Sequence, residues 1–119
     1  MKQWIVTIPK TMKWETFQQE LRAIENGDEV KNWKLRGQPK HMQPGEHMYV
    51  THGGVLKGWL VIKSIVYRPK GVVCTTTGRQ WEQGWYAQLA GRFHIVHPDP
   101  YKGFQGYREL KMEEETNAE

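Results

Sequence analysis

Two tryptophans flanked by cations are the residues in this chain best suited to chemistry. Trp33 is followed by Lys34 and Arg36, and Trp81 is preceded by Arg79. An indole face can stack on a nucleobase, worth ~1–3 kcal/mol per base, while neighbouring cations hold the backbone phosphates. Together the two stretches suit a base-and-phosphate site. A purely structural reading is also open, in which Trp33 and Trp81 cap the ends of a barrel and the cations are simply solvated.

Other chemistries lack their residues. His41, His47, His52, His94 and His97 have none of the pairings and spacings of zinc frameworks. His94 and His97 are three apart in a predicted strand and should face opposite ways, so no metal is expected. There is no G-x-S-x-G elbow, and Cys74 sits in an apolar strand as a packed small residue, which leaves acyl transfer without a nucleophile. Gly-rich phosphate loops are also missing, and no cofactor is expected.

Charge points toward polyanions. Residues 1–112 hold 17 basic against 9 acidic side chains, and four glutamates fall in the last seven residues. A basic body favours nucleic acid, because phosphate neutralisation releases counterions. Lysines that merely keep the chain soluble are the plain alternative. The acidic stretch 113–119 reads as a disordered tail. A lone cysteine, too short an apolar start for a leader and no run of about 20 apolar residues suit a cytoplasmic protein away from membranes. A single domain over 1–112, acting as a monomer, is expected.

The elements that must position these residues follow from periodicity. Gln3 to Ile8 is β-branched and aromatic, a first strand buried on both faces. Trp14, Phe17, Leu21 and Ile24 recur at helical spacing, which predicts a helix over Lys13 to Glu25, with Trp14 in the core and Asn26-Gly27 as its stop. Asp28 to His41 has no clear period and reads as a long basic connection. Gln43-Pro44-Gly45-Glu46 suits a type II turn. Strands are then expected at His47 to Thr51, Val55 to Arg68 with a bend near Gly58, and Val72 to Thr76. Further strand segments fall at Trp85 to Leu89 and Arg92 to His97, broken near Gly91, and at Phe104 to Leu110. The sum is an α+β domain of five to seven strands curled into a small barrel, with one main helix packed against it.

In this order several short motifs are similar to those of known domains. They are Trp4-Ile5-Val6-Thr7 in the first strand, Asn32-Trp33-Lys34-Leu35-Arg36, the Met42-Gln43-Pro44-Gly45-Glu46 turn and Tyr49-Val50-Thr51-His52-Gly53-Gly54. Gly58-Trp59-Leu60-Val61-Ile62 and the closing Gly103-Phe104-Gln105-Gly106-Tyr107-Arg108-Glu109-Leu110 complete the set. The chain thereby resembles the PUA-like superfamily, and within it EVE and ASCH domains. That resemblance implies a pseudo-β-barrel with a cleft that binds RNA or DNA, in some relatives by drawing a flipped or modified base into an aromatic pocket. It further implies Thr7, Asn32, Trp33 and His52 as pocket residues, to be joined by Trp81 as a second stacking wall. Lys34, Arg36 and Arg79 would then hold phosphate.

Some ASCH relatives are enzymes that cleave RNA or hydrolyse an acylated cytosine. The second activity implies a Lys-Thr pair after the first helix, where this chain has Gly27-Asp28-Glu29. For the first, Tyr49 and Lys57 with Arg79 could polarise a phosphodiester. A nucleic-acid or nucleotide binding module is therefore the leading expectation, an ASCH-like ribonuclease or amidohydrolase the alternative, and a small accessory protein the third reading. The leading reading places Asn32-Trp33, His52 and Trp81 around one cleft.

Overall fold

The computed structural model describes residues 2–25, 30–73, 78, 80–104 and 106–110. The predicted tail, Cys74, Arg79 and the Asn26-Gly27 helix stop lie outside the described residues. β1 (Gln3–Thr7) starts the chain, and its β-branched run is buried because strands flank it on both sides. It pairs in parallel with β3 (His47–His52) and antiparallel with β8 (Tyr107–Glu109). The long β4 (Val55–Arg68) pairs with β3 and with β7 (Gly84–Ile95), and β2 (Lys31–Lys34) closes the other side of β7. The six strands run β2-β7-β4-β3-β1-β8, while β5 (Val72–Val73) and β6 (Gln80–Trp81) form a separate ribbon. The main sheet curls but keeps two edges, so the predicted barrel is not closed.

α1 (Trp14–Glu25) lies on one face of this sheet. Its buried Phe17, Leu21 and Ile24 meet Val6, Met48, Val50, Leu60, Ile62 and Leu89 in one core. Glu15 in the first turn and Arg22 in the last complement the helix dipole. Alternation sends Trp4, Val6 and Ile8 into that core. Ile5 is buried too, on the opposite face.

The closing strand is shorter than read, Tyr107–Glu109 against Phe104 to Leu110, and two further segments differ from the sequence expectation. The aperiodic basic connection contains a strand, β2, because alternation there is carried by Lys31, Trp33 and Leu35 rather than by apolar residues alone. Lys31 is buried and paired with Glu20 of α1, an ion pair taken out of water that ties β2 to the helix. It is therefore unavailable to phosphate. β7 also runs through Gly91 without a break. Three residues, Gly91 to Phe93, stand opposite Leu60 there, and Gly91 takes the positive φ of 80° that such a bulge needs.

The turn at 43–46 forms as read, with Gly45 at φ 94° and the Glu46 amide donating to the Gln43 carbonyl at 3.2 Å. Glu46 is buried where this turn meets the chain start. Its carboxylate accepts from Trp4 Nε1 at 2.8 Å, from the Gln43 amide at 2.8 Å and from the Lys2 amide at 2.9 Å. Burial pushes this carboxyl up, but the Trp4 indole and the two amides outweigh it and hold it below its ordinary 4.5.

A depressed native value means that Glu46 stabilises the fold above pH 4.5 and that this contribution is lost as pH falls through the native value. Trp4→Phe should cost about 1–3 kcal/mol, because it leaves a buried carboxylate oxygen one donor short. The acid-unfolding midpoint should move to higher pH, as followed by tryptophan fluorescence. An unchanged acid midpoint would remove Glu46 as the hub.

Candidate nucleic-acid interface

A groove opens between the first turns of α1 and the adjoining ends of β4 and β7. Its volume is about 260 Å³, the scale of one small ring system, and Trp14, Gln18, Lys57, Phe93 and Ile95 line it. Trp14 begins the helical stripe that builds the core. At the helix start that stripe emerges from the core, so Trp14 is only half-buried. Its ring stacks on Phe17 at 5.5 Å and meets Phe93 edge-on at 6.0 Å.

Lys57 reaches the groove through a bulge in β4. The register passes from Val50 opposite Gly58 to Thr51 opposite Leu56, which leaves Lys57 as the extra residue. Its ammonium lies 5.1 Å from the centre of the Trp14 ring, within cation–π range. Gly58, next in β4, lets β7 pack close beside it. A Cβ there would overlap the His94 carbonyl oxygen and stand 2.5 Å from the Phe93 ring.

His52 flanks the same helix start. Its Nε2–H donates to the Met12 carbonyl at 2.8 Å, and its ring lies 5.9 Å from Trp14. In the neutral ring Nδ1 is then an acceptor. Trp33 lies on the same face of the sheet, edge-on to Phe17 at 6.4 Å. Trp33, Phe17, Trp14 and His52 thus form one chain of rings, with the two predicted pocket residues at its ends.

The other predicted residues fall elsewhere. Asn32 alternates with Trp33 and turns to the opposite face, where its Oδ1 accepts from Gln88 Nε2 at 3.2 Å. Thr7 Oγ1 accepts from the Phe104 amide at 3.0 Å, beneath the segment that leads into β8. Lys34 Nζ donates to the Leu35 carbonyl at 3.4 Å, and Arg36 is exposed beyond β2. Trp81 pairs with Val72 in the ribbon and borders a broad depression of about 620 Å³ with Pro69 and Lys70. Tyr49 pairs with Trp59 on the face away from α1, whereas Lys57 reaches Trp14 on the helix side, so these two do not converge on one phosphodiester. Among the described residues there is no cluster of three or more His, Cys, Asp or Glu that could hold a metal. No helix among them is long and apolar enough to cross a membrane.

Sequence reasoning gave Trp14 to the core and passed over Phe93. The available signal was the apolar pair Phe93 and Ile95, which continues strand alternation past Gly91 toward Pro98, where little core remains to receive it. Ile95 is in fact 85% exposed.

An open six-stranded sheet that begins with a parallel-paired strand and carries one helix on a single face has the ASCH-type, PUA-like fold. The chain is similar over 99% of its length to 96% of a crystal structure of a mutant ZmASCH protein from Zymomonas mobilis, with a TM-score of 0.60 and 12% identity. The sequence matches no protein-family model and no curated protein.

The groove depends on close approach of β4 and β7, so Gly58→Ala should force them apart. A loss of about 1–3 kcal/mol is expected in denaturant unfolding, as for overpacking of a tight site. The Lys57 to Trp14 contact should loosen with it, which intrinsic fluorescence would report. Wild-type stability in Gly58→Ala would mean that the strands do not pack this closely.

Proposed function

We propose that this chain is a nucleic-acid or nucleotide binding module that receives a base, flipped or modified, in the groove beside α1. The observation that carries the reading is the Lys57 ammonium held over the Trp14 indole at an aromatic-walled opening of single-base size. A base entering there would displace the Lys57 ammonium from the Trp14 face and stack in its place beside Phe93, replacing the stacking lost on leaving a strand. The Gln18 amide, which can donate and accept, and His52 Nδ1 would read its edge. Lys57 would meet the attached phosphate, and exposed Lys10 and Lys13 in the connection before α1 would extend the path for the backbone.

The five strands β1, β2, β3, β4 and β7 support the same reading. They hold six lysines and arginines, of which only Lys31 is buried and paired with an acid, and not one aspartate or glutamate, while β8 adds Arg108 and Glu109. A polyanion approaching either face meets no like charge from those five strands. Trp33 backs the groove through Phe17 rather than walling it. Lys34, Arg36 and Trp81 are the described residues along which a longer ligand would continue.

Binding of a labelled single-stranded oligonucleotide should weaken linearly with the logarithm of salt concentration. Trp14→Ala should weaken it by about 1–3 kcal/mol, the worth of one stacked base, at equal folding. Lys57→Met should lower the salt slope by about 0.7, the release expected from one phosphate contact on a single strand. Binding that ignores salt, or variants that bind like the wild type, would overturn the assignment.

A further inference from the structure

The sheet face turned away from α1 carries a column of rings that the groove does not use. His47 stacks on Trp59 with centroids 3.7 Å apart and planes 11° apart. Trp59 stacks in turn on His94 at 3.9 Å and 9°. Both faces of the indole are thus covered by imidazoles, at nearly the spacing of stacked bases. Burial and then the neighbouring His94 hold the His47 imidazole below its ordinary 6.5. His94 is exposed, and its outward ring face ends the column.

Among the described residues, the three strands that carry the column, β3, β4 and β7, hold no aspartate or glutamate. The Ser64 hydroxyl donates to Gln88 Oε1 at 2.5 Å and Gln88 Nε2 to Asn32 Oδ1 at 3.2 Å, a polar row crossing β4, β7 and β2 on this same face. Exposed Arg92 lies two residues along β7 from His94, and exposed Lys63 lies four along β4 from Trp59. The column ends on a polar aromatic face, and the strands that carry it also carry the exposed cations Lys63 and Arg92, the composition of single-strand binding platforms.

The two ring systems meet across one strand. Phe93 lines the groove, and His94, next in sequence, belongs to the column. β2 pairs with β7 only as far as Leu89. From Ala90 to Ile95, β7 therefore has β4 on one side and no strand among those described on the other. That edge is the route by which the strand proposed below would pass from one face to the other.

We propose that the face opposite α1 is a second contact surface for single-stranded nucleic acid, on which a base stacks against the outward ring of His94 while the backbone follows Arg92 and Lys63. The inference rests on the nucleic-acid reading above and extends it from one base in the groove to a strand that spans both faces. A mononucleotide fills the groove alone; an oligomer of about 12 nucleotides reaches both surfaces.

The test compares a nucleoside monophosphate with a single-stranded oligomer of about that length, using wild type, His94→Ala, His94→Tyr and Lys57→Met. His94→Ala should weaken the oligomer about 10-fold, the scale of one lost stack, and leave the mononucleotide unchanged. His94→Tyr, which keeps a stacking ring, should restore most of the oligomer affinity. Lys57→Met should weaken both ligands. Oligomer binding untouched by His94→Ala but weakened by Lys57→Met would overturn the second surface and leave the groove standing. Oligomer binding weakened by His94→Ala but not rescued by His94→Tyr would overturn the stacking contact. Failure of wild type to bind either ligand, or indifference of both to Lys57→Met, would overturn the groove reading itself.

Discussion

The buried carboxylate of Glu46 is the interaction on which the order of this sheet depends. Parallel pairing of β1 with β3 has no hairpin to set its register, so something else must bring residue 3 opposite residue 47. Glu46 does this by accepting from the Lys2 amide and the Trp4 indole on one side and from its own turn, through the Gln43 amide, on the other. The same residue joins the ladder of β4, because its carbonyl accepts from the Ile62 amide at 2.8 Å. One residue therefore ties three strands: its side chain, withdrawn from water and given three donors, holds β1 to the turn before β3, and its carbonyl joins β4. Removing a donor is costly because the charge stays buried.

From that frame, irregularity in β4 and β7 builds the groove and the column of rings. A regular strand sends successive side chains to alternate faces, so Lys57 and Gly58 would point apart. The extra residue at the bulge re-aims Lys57 toward Trp14, and the missing side chain at Gly58 admits Phe93 and the His94 carbonyl. Gly91 performs the reciprocal adjustment in β7. These departures from period two sit at the same end of the strand pair, beside the start of α1, which is where the groove opens.

Much of the fold was legible because it rests on burial patterns. The stripe Trp14, Phe17, Leu21 and Ile24 specifies the helix, and Val55 to Arg68 specifies β4 to the residue. β2 was missed because one of its inward positions is Lys31, whose burial depends on Glu20 in a different element, and periodicity reads side chains singly. β7 was read as two pieces because glycine signals both a stop and a bulge, and only a partner strand decides between them. In the site, the aromatic and basic composition was visible but the assignment of faces was not. Asn32 and Trp33 are adjacent in sequence, and adjacency in a strand means opposite faces. Trp14 was hidden by its membership of a core stripe, since the sequence does not show where along a helix the core ends.

The groove and the column of rings are less independent than their opposite faces suggest. Trp59 follows Gly58, and His94 follows Phe93, so each bulge serves one residue of the groove and one of the column. The close approach that Gly58 permits brings Phe93 against Trp14 on one side and sets His94 flat on Trp59 on the other. A shift of β7 relative to β4 would disturb both stacks together. Coupling of this kind needs no moving part. Two ring systems share a backbone whose spacing is set by a missing Cβ, and that spacing is the quantity on which any cooperation between the two faces would turn.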